Sequence, residues 1–302
     1  GRTEFTQHKV AAILKDFLQP DSKTSLESAA KSLLVLIPTN ASEHAEVCSF
    51  GEICVELAEQ IPYHHPSQLK LVQLLHYLSR SPKFMYKYER PPQEEAQGAF
   101  QLLWESIVDW ASGPDEENHN AWVNINAFKA NLFATGVWGT SPGQSLKTLC
   151  DAFETKKPEE AWERDCKVMA AAQWILWHGQ TLFKLIIYDH LEEPPGEGSN
   201  WGFGNELEGS KMPPRSVERW RFWKAGFEAV EQRALNGWNN NSIACISCLL
   251  GMTLMQRIES LERLVRSVYS DNMFDFRGKP YRLRALRRPD RPLSLQVRRV
   301  RL

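Results

Sequence analysis

Apolar and polar residues alternate with a helical period along most of the chain. Residues 4–19 place Phe5, Leu14 and Phe17 on one side of a helix, and Pro20 ends the pattern. Further amphipathic segments lie at about residues 25–37, 42–61, 93–111, 118–136, 216–236 and 240–269, and others begin at the prolines of positions 66, 142 and 158. Patterns of period two, which are typical of strands, hardly occur. The chain is therefore predicted to adopt an all-α fold.

Residues 168–188 differ from the other segments. Fifteen of these 21 residues are apolar or aromatic, and they fall on every side of the helix. A helix that is hydrophobic all round is surrounded by other elements. We therefore expect an irregular bundle or solenoid-like array of about ten helices around a buried central helix. A membrane span is not expected, because Gln173, His178 and Lys184 are costly in lipid.

The remaining segments suggest one domain and a tail. Residues 1–270 are predicted to form a single helical domain. Within it, residues 191–215 are rich in glycine, proline and acids and form a long loop, either functional or disordered. Residues 271–302 lack a stable periodic face and are predicted to be a flexible basic tail.

Positive charge is concentrated in that tail. Residues 277–302 carry ten Lys or Arg residues and one acid, a net charge of +9, while the whole chain carries −1, so the preceding residues carry −10. Two outcomes follow: the tail binds anionic polymers non-specifically, or it docks on the acidic body along residues 192–197 or 206–208. The arginines concerned are Arg282, Arg284, Arg287, Arg288, Arg298, Arg299 and Arg301.

The six cysteines are scattered through helical segments without regular spacing, a pattern that favours free thiols in a reducing compartment. No leader peptide is recognisable, so we expect an intracellular protein, in the cytoplasm or the nucleus. The Cys245–Cys248 pair has redox-motif spacing but lies inside an apolar run, which favours packing. The His64-His65 pair lacks further ligands nearby, so no metal is predicted. The Gly202–Gly204 turn lacks the context of a phosphate loop, and we expect no cofactor.

His178 is the one titratable side chain within the predicted central helix that has a candidate chemical role. Burial there keeps it neutral near pH 7, either as a hydrogen-bonded core residue or as a general base facing a pocket. Three asparagines share the segment 118–136 with bulky apolar residues, which predicts polar contacts between helices or a polar patch in a pocket. The candidate pocket wall consists of Trp122, Asn126, Trp174, Trp177 and His178, with residues 191–215 as its lid.

Tryptophans recur at helical spacing in the segment 216–236. Trp220, Trp223 and Phe227 share one face with Val217 and Val230. Interleaved basic and aromatic residues can bind single-stranded nucleic acids, but this spacing predicts a buried stripe.

Three segments resemble a family of filamentous-fungal proteins that is known only as a domain of unknown function. They are residues 60–83, with a Pro-Tyr turn before a proline-initiated leucine helix, residues 121–137, with a Trp–Asn–aromatic pattern, and residues 219–227, RWRFWKAGF. The resemblance implies an all-helical intracellular protein and supplies no catalytic residues. The basic segment after Met273 departs from the family pattern.

Two functions remain open at the level of sequence. The first is a non-enzymatic protein-interaction module, since no catalytic motif occurs and tryptophan-rich helices suit partner grooves. The second is an enzyme or small-molecule-binding protein with an apolar pocket at the wall described above. The sequence identifies neither the partner, the substrate nor the oligomeric state.

Overall fold

The structure is a computed structural model that describes residues 5–37, 44–84, 87–88, 97–98, 103, 106–107, 113–136, 143–187, 202, 204–207, 210–237 and 250–261. Its elements are α1 (Gln7–Leu18), α2 (Leu26–Leu36), α3 (His44–Gln60), α4 (Pro66–Ser79), β1 (Lys87–Tyr88), β2 (Gln97–Gly98), α5 (His119–Ala134), α6 (Gly143–Phe153), α7 (Ala161–Ile187), a 3-10 turn (Asn205–Leu207), α8 (Val217–Gly237) and α9 (250–261). The predicted all-α class is confirmed.

Helix starts follow the capping residues of the sequence. The hydroxyl of Thr6 accepts a hydrogen bond from the Lys9 N–H, and that of Ser25 accepts one from the Ser28 N–H. Such side chains satisfy backbone donors that have no partner inside the helix. Pro66 is the first residue of α4, as predicted, because a missing N–H costs nothing at that position.

The predicted helix over residues 93–111 is wrong at residues 97–98, which form strand β2. Strand β2 lies inside that range and pairs antiparallel with β1, with Tyr88 opposite Gln97. Glycine at position 98 disfavours a helix by about 1 kcal/mol relative to alanine, which lowers the helical propensity of this segment. Among the described residues of this range, helical conformation occurs only at 103 and 106–107.

The first half of the chain closes around its own hydrophobic core. Helices α1 to α4 and one face of α5 enclose it. Its fully buried members include Leu14, Leu33, Val55, Leu75 and Phe128, one from each of these helices. Asn124 of α5 joins the layers, because its amide donates to the Glu59 carbonyl at 2.8 Å and accepts from the Tyr63 N–H at 2.8 Å. The predicted polar contact between helices is therefore present at Asn124.

Helix α7 is the centre of the second half and packs against α5, α6 and α8. Trp174 and Phe183 are buried, and Leu176 is half-buried. The sequence predicts that other elements cover this helix on every side. That expectation is wrong for one strip of α7, where Trp177 is 41% exposed and Gln180 and Lys184 face solvent. These three residues share a face, and a lysine and a glutamine on that face stay hydrated at little cost.

Helix α9 crosses α7 at Gly179. A Cβ atom on this glycine would lie 3.5 Å from Cδ1 of Ile258, an ordinary van der Waals distance, so the two helices are in contact here. Together α6 to α9 enclose a second core, which contains the predicted stripe of Trp220, Trp223 and Phe227, all fully buried. No helix in the described ranges has both the length and the apolarity needed to cross a bilayer.

By contacts the chain divides into two units, Gly1–Glu259 and Ser260–Leu302. Of the second unit, only residues 260–261 are described. The predicted tail and its seven arginines lie outside the described residues, as does the Cys245–Cys248 pair. The single domain predicted over residues 1–270 stays a prediction.

Candidate functional site

A fully buried ion pair lies beneath the candidate site. Helix α6 is amphipathic and buries Leu146 and Leu149, and Glu154, which follows its last residue, is also buried. Arg219, in the first turn of α8, donates from Nε to Oε1 of Glu154 at 2.8 Å and from a terminal nitrogen to Oε2 at 2.9 Å. Neither side chain has any solvent exposure. A two-pronged pair of this kind holds both helices in a fixed geometry.

The Glu154 carboxylate and the Arg219 guanidinium group also make hydrogen bonds to other described residues. Trp223 Nε1 donates to Glu154 at 2.6 Å and the Gly204 N–H donates at 3.0 Å, while Arg219 donates to the carbonyls of Gly202 and Pro214 at 2.7 and 3.0 Å. Burial alone raises the pKa of the Glu154 carboxyl. The hydrogen bonds from Arg219, Gly204 and Trp223 and the arginine charge outweigh it, so the pKa lies below its usual value. The Glu154 carboxylate therefore stays ionised at neutral pH.

The ion pair fixes the loop that precedes α8. The Glu206 N–H donates to the Glu154 carbonyl at 2.9 Å, and a Cβ atom on Gly204 would overlap that carbonyl oxygen. A glycine is required where two backbones approach so closely. The described residues of the predicted lid, 202, 204–207 and 210–215, are consequently anchored to the core, and Glu206 and Leu207 line a cleft.

We call this cavity the basic cleft. It has a volume of about 790 Å³ and lies between α6, α7 and α8. Its apolar floor comprises Phe153, Val168, Leu207, Phe222 and Val230, together with the small residues Ala152, Ala225, Gly226 and Ala229. The volume lies within the range of known ligand-binding sites.

Positive charge surrounds this floor. The rim contains Lys156, Lys157, Arg164, Lys167 and Arg233 and a single acid, Glu206. Two of the cations are engaged: Arg164 donates to the Pro158 and Glu159 carbonyls, and Lys167 pairs with Glu163 at 2.7 Å. Within the described ranges, Lys156 and Lys157 are exposed and have no ion-pair partner. An incoming anion therefore meets two lysines whose charges are uncompensated.

The floor of the cleft is rigid at its middle. The ring of Phe153 packs edge-on against Phe227 with a centroid separation of 4.6 Å. A Cβ atom on Gly226 would lie 2.5 Å from Cδ1 of Phe153, so only glycine allows the ring to reach this position. Ala225 and Ala229 flank this contact and are exposed. The result is a shallow groove along α8 with aromatic support underneath.

The structure brings together three of the five residues of the sequence-predicted wall. Trp174 Nε1 donates to Oδ1 of Asn126 at 2.8 Å, and the Asn126 amide donates to the Trp122 carbonyl at 2.8 Å. The Thr148 hydroxyl donates to the same Asn126 oxygen at 3.2 Å. Asn126 thus joins α5, α6 and α7. Asn131, by contrast, donates to Ala127 of its own helix at 2.9 Å.

His178 is buried next to this contact. Its ring lies 5.5 Å from that of Phe133 and 6.0 Å from that of Trp174, centroid to centroid. Burial lowers its pKa to about 4, so the predicted neutral, buried state is present. Neither ring nitrogen has a hydrogen-bond partner in the described structure. Trp177, the fifth predicted residue, lies on the exposed strip of α7.

Sequence reasoning missed Glu154 and Arg219, although a signal was present. Arg219 shares its helix face with Trp223, four residues later, and with Trp220 beside it. An arginine on a buried stripe requires a carboxylate partner. The position of that partner was not readable from the pattern, because it lies 65 residues earlier in the chain.

Comparison with known proteins gives a family. No curated protein and no solved structure matches the chain. A family model described as "Protein of unknown function (DUF3632)" matches residues 52–227, a range that contains Glu154, Arg219 and most of the basic cleft. Because this match spans more than half of the sequence, the chain belongs to the DUF3632 family.

Proposed function

We propose that the protein is a non-enzymatic interaction module that binds a partner protein through the basic cleft. The observation that carries this proposal is an apolar floor with a cationic rim, supported by the fully buried Glu154–Arg219 pair. A preformed surface loses little conformational entropy on binding, which favours recognition. The fungal origin rests on the three sequence segments described above, and the cytoplasmic or nuclear location rests on the pattern of cysteines.

The ionisation of the buried groups also favours binding over catalysis. Burial raises the pKa of Cys150 and of Cys166 to about 12, so both thiols are protonated and poorly nucleophilic at neutral pH. His178 is neutral and lies in the contact between α5 and α7. The cleft itself is lined by alkyl, aromatic and cationic side chains, by Glu206 and by Thr155, whose hydroxyl donates to the Asp151 carbonyl. Such groups hold a ligand by burial and charge.

The experiment is a comparison of partners captured from native lysate. In the filled-cleft variant, Ala225→Trp and Ala229→Trp occupy the groove from two exposed positions, where larger side chains leave the core undisturbed. The control variant, Lys23→Glu and Lys211→Glu, changes exposed lysines outside the cleft. We expect wild type and control to retain one stoichiometric partner that the filled-cleft variant loses. A partner retained by all three proteins, or captured by none under several growth conditions, contradicts the proposal.

The alternative function, a small-molecule pocket at Trp122, Asn126, Trp174 and His178, has one specific observation in its favour. Both ring nitrogens of His178 and Nε1 of Trp122 are buried without a partner in the described structure, and such atoms gain from a polar ligand. Native mass spectrometry of the full chain purified from its source tests this function. A small molecule of defined mass, released on mild denaturation, supports the pocket, and a bare chain contradicts it.

The basic tail supplies a further proposed contact. Its seven arginines would bind anionic polymers without sequence specificity, as counterion release predicts.

A further inference from the structure

We propose that the basic cleft binds an acidic amphipathic helix of the partner protein. This inference rests on the proposed function and adds the chemistry of the partner segment. It is carried by the shape of the groove, the apolar character of its floor and the distribution of charge around it.

The groove matches the dimensions of a short helix. Helix α8 lines the cleft from Phe222 to Arg233, a span of about 16 Å or three helical turns. Ala225 and Ala229, one turn apart, are exposed and small, so the backbone of a second helix can approach closely between the larger neighbours. A partner helix of about 11 residues would cover this length.

The floor determines which face of that helix is buried. Phe222 and Val230 of α8 lie two turns apart, and Val168 of α7 and Leu207 of the anchored loop complete the apolar surface. A helix that lies in such a groove uses apolar anchors at positions i, i+3 or i+4, and i+7. The partner face is therefore apolar over at least two turns.

The rim determines the charge of the opposite face. Five cations and one acid line the cleft, and Lys156 and Lys157 have uncompensated charges within the described structure. Complementary charge on a partner steers association and selects against basic competitors. The partner helix therefore carries Asp or Glu beside its apolar stripe.

The spread of these cations favours a helix over a small anionic amphiphile. One group of cations, Lys156 and Lys157, follows Phe153, whose ring packs at Gly226 of α8. Another cation, Arg233, lies seven residues, or about 10 Å, further along α8. Several carboxylates along a helix can contact cations at both positions.

A peptide selection tests the inference with the full chain. Displayed random peptides of about 15 residues, long enough to cover the groove, are enriched on wild-type protein after depletion on the filled-cleft variant. Enriched sequences are synthesised, and their dissociation constants are measured by fluorescence anisotropy. The rim variant, Lys156→Glu and Lys157→Glu, is compared with the control variant, Lys23→Glu and Lys211→Glu, which has the same net charge. Circular dichroism verifies that each variant is folded.

We expect enriched peptides to combine Asp or Glu with apolar residues at helical spacing. The rim variant is expected to bind these peptides about tenfold more weakly than wild type does. The control variant is expected to bind them with the affinity of wild type. Neutral or basic consensus peptides, equal binding to the rim variant, or no enrichment overturns the inference. Binding of dodecanoate with no acidic peptide enriched also overturns it, in favour of a small amphiphile.

Failure of the inference differs from failure of the proposed function. If the lysate partner is lost from the filled-cleft variant but its binding segment maps to a neutral or basic region, the cleft is the interaction site and the acidic-helix inference is wrong. If the partner stays bound to the filled-cleft variant, the proposed function itself is wrong.

Discussion

Arg219 donates two hydrogen bonds to Glu154, at 2.8 and 2.9 Å, although both side chains are completely shielded from solvent. Two charges in such a position lose their hydration, and only a full set of partners offsets this loss. Trp223 and the backbone of residues 202, 204 and 214 supply the partners here. The pair thus holds the loop before α8 against α6, and its removal is expected to have a measurable cost.

Breaking the pair on one side is predicted to destabilise the fold strongly. Glu154→Gln leaves the arginine charge buried without its counterion, which costs about 3–5 kcal/mol in the free energy of unfolding. The double variant Glu154→Gln, Arg219→Met is expected to lose less than the sum of the single variants. Urea denaturation followed by circular dichroism measures these values.

The matched control is the surface pair of Lys31 and Glu27, whose side chains are 71% and 62% exposed. Glu27→Gln is expected to change the free energy of unfolding by less than about 1 kcal/mol. A Glu154→Gln variant as stable as Glu27→Gln would show that the buried pair does not support the fold.

Asn126 is predicted to matter more than Asn131, although both are buried in α5. Asn126→Ala removes the acceptor of Trp174 Nε1, and leaving this buried donor unpaired costs about 1–3 kcal/mol, while the Thr148 hydroxyl keeps the Gln144 carbonyl as its acceptor at 2.9 Å. Asn131→Ala removes a bond within one helix. Thermal unfolding of both variants tests this ranking, and equal losses would contradict the role of Asn126 as the contact between three helices.

His178 is predicted to make stability depend on pH below neutrality. Its pKa falls from 6.5 to about 4 on folding, because burial disfavours the charged ring. Between these values the unfolded state binds more protons, so stability decreases as the pH falls from 6.5 towards 4, by about 3 kcal/mol in total. This contribution to the pH dependence fades above pH 6.5, as the unfolded-state histidine also becomes neutral.

The variant His178→Phe isolates this contribution. Its free energy of unfolding is expected to vary less between pH 6.5 and 4 than that of wild type, while His8→Gln, at an exposed position, follows wild type. Parallel curves for His178→Phe and wild type would show that His178 is not the group responsible.

Deletion of residues 277–302 is predicted to leave the free energy of unfolding unchanged. The same deletion should lower the affinity for double-stranded DNA of random sequence and flatten its dependence on salt, since the arginines that release counterions are gone. Fluorescence anisotropy across a range of salt concentrations provides the measurement. A large drop in thermal stability after deletion would assign the segment a structural role instead.

Much of the fold followed from the sequence, because helix formation and capping are local. The start of α4 at Pro66, the burial of Trp220 and Trp223, and the contact of Asn124 with α3 are all consequences of period and residue type. Strand β2 was not predicted, since its pairing with β1 depends on a neighbour outside the helical pattern.

The candidate site was less accessible to sequence reasoning. The ion pair joins residues 65 positions apart, and hydrophobic periodicity carries no information about which two helices meet. The cleft arises from the spacing of α6, α7 and α8 and from Gly226, whose missing side chain admits Phe153. These are properties of tertiary packing, so they required the structure.

The most direct test of the basic cleft as the interaction site is photo-crosslinking in native lysate. A benzophenone amino acid is placed at Ala229, which lines the cleft, or at Val35 of α2, which is 60% exposed and distant in sequence. Our account predicts one discrete crosslinked polypeptide from position 229, suppressed by a peptide selected for the cleft, and none from position 35. The same product from both positions, or none from position 229, would contradict it.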